Sequence, residues 1–138
     1  MKKNHSKGLE MQKYEIVGNI LGFEKTTEVE IDKIDDLFST MRDTKNSDIS
    51  FTVSNPYILR EYSFDIPSDL QSSMGINENS NLSAYNIVVL QKPIENSTVN
   101  FLAPIIINND NNKIAQTVLE PARHPEFGMT EVIKTFKS

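Results

Sequence analysis

Pro104-Ile105-Ile106-Ile107-Asn108-Asn109-Asp110-Asn111-Asn112-Lys113-Ile114-Ala115-Gln116-Thr117-Val118-Leu119 holds two apolar runs joined by five consecutive Asn and Asp residues. The isoleucine run is short and apolar at every position, the mark of a central strand covered on both faces. Asn and Asp tolerate left-handed backbone and bond their own main chain, so the five-residue joint predicts a tight turn. Residues 104–107 and 113–119 are thus expected to pair as a hairpin, the second being the last strand of the chain.

The upstream sequence repeats the strand theme. In residues 12–17, Tyr14 and Ile16 share one face. In residues 27–31, Val29 and Ile31 alternate with Glu28 and Glu30, the pattern of a half-buried antiparallel strand. Residues 49–53 put Ile49, Phe51 and Val53 inward, and residues 61–66 alternate again before Pro67. Residues 85–90 are apolar throughout their second half and read as another central strand. Residues 34–41 are ambiguous, with apolar positions at helical spacing, and the second half, 37–41, is assigned to a strand. Ser68 to Met74, behind Pro67 and ahead of Gly75, suits one or two helical turns.

Seven or more short strands without long crossover helices predict an all-β, mainly antiparallel fold. The expected form is a small β-barrel or sandwich-like single domain with one or two short helical turns. Residues 1–10 are expected to be a flexible N-terminal tail and residues 11–122 the β-barrel-like domain. Residues 123–138 form a C-terminal tail whose Met129, Val132, Ile133 and Phe136 are spaced for a short amphipathic helix. A length of 138 residues fits one domain, since domains commonly run to roughly 100–150 residues.

Composition narrows the function. Lys and Arg total 14 against 19 Asp and Glu, a net charge of -5, and Lys92 is the only basic residue between Asp65 and Asn112. Nucleic-acid binders concentrate positive charge to displace counterions from phosphates, so no direct nucleic-acid contact is expected. The basic start Met1-Lys2-Lys3 is not followed by an apolar run, and nothing approaches a membrane span. A cytoplasmic protein without a membrane partner, monomeric when alone, is the expectation.

The chain has no cysteine, which removes disulfides, thiol catalysis and thiolate metal sites. His5 and His124 are too far apart to form a local ligand pair. The 108–112 segment resembles a calcium loop, but the sixth and twelfth positions hold Lys113 and Leu119 instead of Gly and a bidentate carboxylate. Gly18 and Gly22 lack the Lys-Ser/Thr and following helix of a phosphate loop and read as turn residues. The dense acids Glu24, Glu28, Glu30, Asp32, Asp35 and Asp36 read as a solvated face whose use, if any, is to attract a basic partner. No cofactor, metal or catalytic constellation is predicted.

Gly18-x-x-x-Gly22-Phe23-Glu24 resembles the opening signature of the bacterial flagellar assembly factor FliW family. Phe51-x-Val53-x-Asn55-Pro56 ahead of Tyr62 is similar to that family's apolar strand running into Asn/Asp-Pro. The strongest match is Thr98-Val99-Asn100-Phe101-Leu102-Ala103-Pro104-Ile105-Ile106-Ile107-Asn108, followed by Ala115-Gln116-Thr117-Val118-Leu119. The ordered set covers residues 14–120. It departs mildly at Leu21, where the family often has Pro, and at Phe101, where it often has Leu; after Pro121 no pattern is carried over. The resemblance implies a β-barrel-like protein acting through protein partners. Those partners are newly made flagellin and the basic, RNA-binding translational repressor CsrA, which the family antagonises allosterically, so that flagellin synthesis is coupled to export.

Residues 100–108 are the expected partner surface, with Asn100 contributing and Phe101 or Leu102 as anchor, although residues 104–107 equally suit the core. Glu24 is the expected charged contact. Gly18, Gly22, Phe23, Asn55, Pro56 and Pro104 are assigned structural roles in the motif. Two rival readings have their own residues. A small OB-like barrel binding single-stranded nucleic acid would use Tyr57, Tyr62 and Phe64 with Arg60, and a hydrolase would use His124.

Overall fold

The computed structural model describes residues 12–136. The expected tail at residues 1–10 lies outside them. The isoleucine run is strand β7 (Ile105–Asn108), buried at all four positions. It pairs antiparallel with β8 (Lys113–Gln116) across the Asn/Asp turn, where Asn112 takes a φ of 58° and Asn108 Oδ1 accepts from Asp110 N at 3.0 Å. Its two faces go to different layers. Ile105 and Ile107 point into the main core, and Ile106 packs on the other side with Met74 and Ala115.

Around this hairpin stand β1 (Gln12–Ile16), β2 (Glu28–Lys33), β3 (Phe38–Asp43), β4 (Ser50–Ser54) and β5 (Leu82–Val89). The order β4-β3-β2-β1-β8-β7-β5 closes through β5 pairing with β4, which makes a seven-stranded barrel. Every pairing in this ring is antiparallel except β1 with β8. Closure leaves no bare sheet edge in the ring. The all-β, mainly antiparallel expectation holds. The barrel interior is filled by Tyr14, Ile20, Phe23, Val29, Met41, Val53 and Ile114 with the two isoleucines.

Beyond β5 the sheet continues as a narrow ribbon, β6 (Thr98–Val99) and β9 (Glu131–Val132), with two rungs each side. Two short helices sit on the outside. Helix α1 (Pro56–Leu59) starts at Asn55, whose Oδ1 accepts from Tyr57 N at 3.0 Å, with Pro56 preset for the first turn. Helix α2 (Ser68–Met74) ends at Gly75 with a φ of 69°. Among the described residues no helix is long and apolar enough to cross a membrane.

Three expectations need correction, and one ambiguity is settled in favour of the strand assigned to residues 37–41. Residues 61–66 form no strand and join no ladder. Their alternation is real, since Tyr62 is buried and Phe64 half-buried between exposed neighbours, but it reflects one-sided packing on the barrel wall. The last ring strand stops at Gln116; Thr117 N and Leu119 N bond Pro104 and Leu102 carbonyls outside a regular ladder. The ambiguous 34–41 stretch resolves as a turn and β3, because Asp35 Oδ1 accepts from both Leu37 N (2.9 Å) and Phe38 N (2.7 Å) and halts any helix. In the C-terminal tail, the helical spacing belongs to β9 plus one 3₁₀ turn, Ile133–Phe136, with Ile133 buried and Met129 left outside.

Candidate protein-binding groove

The loop between β1 and β2 carries the first half of the site. Gly18 and Gly22 take φ values of 75° and 88°, which side-chain-bearing residues rarely adopt. These reversals drop Ile20 and Phe23 into the barrel and leave Leu21 and Glu24 outside. Leu21 N donates to Gln116 Oε1 at 2.9 Å, and Gln116 Nε2 donates to Ala103 O at 3.2 Å. The loop is thereby tied to β8 and to the segment entering β7. Glu24 Oε2 accepts from Gly22 N at 3.0 Å, and that backbone bond holds its carboxyl below the usual carboxylate range.

Between this loop, the end of β5 and the segment before β9 runs a groove of about 400 Å³. Its apolar lining is made of Leu21, Phe51, Ile87, Val89 and Met129, and Asn100 lines it as well. Leu21 is 61% exposed, Val89 56% and Met129 63%, and here the three border one groove. Phe51 lies on the face of Val53, as its alternation predicts, but at the strand's outer end. There its ring meets Phe23 edge-on at 5.2 Å and stays 37% exposed, so it is groove wall and not core. A larger depression of about 580 Å³ lies near Asp32, Asp35, Asp36 and Asn55. Its acidic groups and Asn55 are already engaged: Asp35 and Asn55 cap turns, Asp36 pairs with Lys33 at 3.3 Å and Asp32 with Arg42 at 3.7 Å.

Of the residues assigned from sequence, Asn100 and Gly22 line the groove and Glu24 stands exposed in the same loop. Phe101 and Leu102 do not reach it. Phe101 has no exposed surface and Leu102 only 6%. The reason is a turn after β6: Asn100 lines the groove, and its Oδ1 accepts from Leu102 N at 3.0 Å, while the next two side chains pack in the second core. There Phe101 meets Tyr62 at 5.5 Å and Phe136 at 5.5 Å, and its carbonyl accepts from the Tyr62 hydroxyl at 2.6 Å. Phe101 and Leu102 therefore present almost no surface for the anchor role expected of them. Phe23, Pro56 and Pro104 are buried, and Asn55 is a helix cap. Leu21, Val89 and Met129 escaped the sequence reading, because an isolated aliphatic residue beside a turn carries no signal of its neighbours in space.

The nucleic-acid reading loses its geometry at the same cluster. Tyr62 is buried, and Arg60 lies over the rings of Phe101, Phe127 and Phe136 at 5.1, 4.9 and 5.3 Å, so neither is part of an open stacking platform. His124 stacks on Phe127 at 5.5 Å with its Nδ1 3.9 Å from Glu126.

Gly22 is where fold and groove meet. A Cβ there would lie 2.5 Å from Phe51 Cε2, and the φ of 88° is costly for any L side chain. Gly22→Ala is expected to lose about 1–2 kcal/mol in urea denaturation from the backbone alone. It should also displace the Phe51 ring, seen as shifted aromatic resonances. An unshifted ring would refute the contact.

The family model described as FliW protein matches residues 4–130, so it continues ten residues past the segment covered by the sequence resemblance. Flagellar assembly factor FliW 2 of Wolinella succinogenes is 43% identical over 123 residues, 89% of this chain and 90% of that protein. Flagellar assembly factor FliW of Sulfurimonas denitrificans is 44% identical over 124 residues, 90% of this chain and 97% of that one. A crystal structure of the flagellar assembly factor FliW superposes with a TM-score of 0.79 at 16% identity, covering 96% of this chain and 89% of its own. That last likeness concerns the barrel.

Proposed function

The chain belongs to the FliW family of flagellar assembly factors, and from this we propose that it is a cytoplasmic binding protein that holds flagellin and antagonises the translational repressor CsrA. It acts by association alone and breaks no bonds. The observation that supports this reading is the apolar groove formed by Leu21, Phe51, Val89 and Met129. A subunit destined for a filament has apolar assembly faces that stay uncovered until it is incorporated, and a rigid apolar groove is what such a face requires. Flagellin is accordingly assigned to the groove. CsrA is a basic RNA binder, and the net charge of -5 favours its encounter with this chain through long-range attraction.

Calorimetry and size-exclusion with purified monomeric flagellin test the assignment. Leu21→Asp combined with Val89→Asp places two charges on exposed wall positions and should leave the thermal melt unchanged. It should weaken flagellin binding at least tenfold, the size of effect expected at the centre of an interface. Undiminished affinity in the folded double variant would remove the groove from the reading. Absence of any complex with the unsubstituted chain would remove flagellin itself.

A further inference from the structure

Arg60 lies behind the groove and does not line it, yet it controls the segment that does. We infer that the Arg60–Glu131 pair is the positioning element of the groove's Met129 wall, an inference resting on the assignment of the groove to flagellin. Met129 and Thr130 contribute to the groove from the short connection between Gly128 and β9. That connection has few attachments of its own. Phe101 N donates to Gly128 O at 2.9 Å on one side, and β9 makes only two rungs with β6 on the other.

What closes the connection into a fixed turn is Glu131. Its Oε2 accepts from Gly128 N at 2.6 Å, across the two residues that carry the wall. The same carboxylate faces Arg60 Nη1, with both oxygens at 3.3 Å. Arg60 Nη2 donates to Glu126 O at 3.2 Å, so one guanidinium grips the segment on both sides of Gly128. The guanidinium is fixed in turn by the three phenylalanine rings stacked around it. Both side chains are largely shielded, at 20% and 26% exposure, so salt screens this pair less than one at the surface. Arginine suits the position because only a planar, permanently charged fork can stack on rings and hold two acceptors together. A flexible turn at Met129 would have to be ordered each time a partner docked, and the clasp removes that cost beforehand.

The test combines amide hydrogen exchange with a double-mutant cycle. Arg60→Met keeps the apolar stem and removes the charge; Glu131→Ala approaches from the other partner and serves if Arg60→Met does not fold. Either is expected to speed exchange at Gly128 and Met129 selectively. Each should weaken flagellin binding about threefold to tenfold, the range for re-ordering one rotamer-rich side chain on binding. Combined with Met129→Ala, the loss should be less than additive, because both changes act on the same wall. A purely structural role for Arg60 would raise exchange throughout the second core and add fully to Met129→Ala, and either result would overturn the inference. Unchanged exchange at Gly128 would do so as well. Selective exchange together with unaffected binding by Leu21→Asp/Val89→Asp would instead sink only the assignment of the groove, leaving the clasp as a property of the turn.

Discussion

Phe101→Ala should destabilise the protein by about 3–5 kcal/mol, the usual loss when a fully buried phenylalanine is truncated. The ring sits in the second core among Tyr62, Phe136 and the Arg60 guanidinium and has no exposed surface. Its removal costs more than transfer of its own area. Tyr62, Val99 and Phe127 are held by separate backbone segments, so the cavity cannot close by moving one of them. Arg60 would lose one of its three stacking faces as well. Domains of this size have roughly 5–15 kcal/mol in hand, so the variant should show a much lower urea midpoint and a visible unfolded fraction at 37 °C. Any loss of partner binding would then follow from unfolding. A loss below about 1 kcal/mol would mean that the aromatic cluster is not packed as described.

This position also shows where the reading of sequence stops. The motif from Thr98 to Asn108 was legible as something special, and the strand that ends it was placed correctly because Ile105, Ile106 and Ile107 leave no polar face. Which side of the chain Asn100 and Phe101 present is a different matter. It depends on the second core, and that core is assembled from Tyr62, Leu119, Phe127 and Ile133, residues separated by long stretches of chain. Periodicity reports that one side is buried without naming what covers it. Residues 61–66 failed for the same reason: packing on a barrel wall and pairing within a sheet leave an identical alternation. The groove was the least legible feature. Glu24 and Gly22 drew attention as motif residues, but the wall they border consists of Leu21, Val89 and Met129, whose closeness is created by barrel closure and by the ribbon β6–β9.

The two cores divide the labour of the molecule. The barrel core of isoleucine, valine and Phe23 fixes the loop that carries Leu21. The aromatic core fixes the segment that carries Met129. The groove lies between the products of both, so its shape depends on the second core staying intact, and Tyr62 is the residue through which that dependence can be measured by pH.

Raising the pH above about 10 should unfold the protein steeply, with Tyr62 as a main contributor. Burial is the chief cause that pushes its phenol far above the ordinary tyrosine value, and Asn86 Nδ2, which donates to the oxygen at 3.1 Å, opposes it. The hydroxyl proton itself is given to Phe101 O at 2.6 Å, so ionisation would set a phenolate against a carbonyl oxygen in an apolar layer. The sign follows directly. Below the unfolded value both states hold the proton and the full stability is present. Between the unfolded and folded values only the folded state holds it, so each pH unit removes about 1.4 kcal/mol per such group. Tyr14 is raised as well, first by burial and then by Tyr85, and adds to the slope. Tyr57 is raised but half exposed, and solvent reduces its share. Urea midpoints measured from about pH 9 to about pH 11 should therefore fall faster for the unsubstituted chain than for Tyr62→Phe. At neutral pH the unsubstituted chain is the more stable of the two, since Tyr62→Phe leaves Phe101 O and Asn86 Nδ2 each short of a partner at a cost of about 1–3 kcal/mol. The two stability curves should converge as the pH rises, since the two chains differ only at residue 62. Parallel curves over that interval would show that Tyr62 ionises in the folded state, and that the aromatic core admits water where the structure closes it.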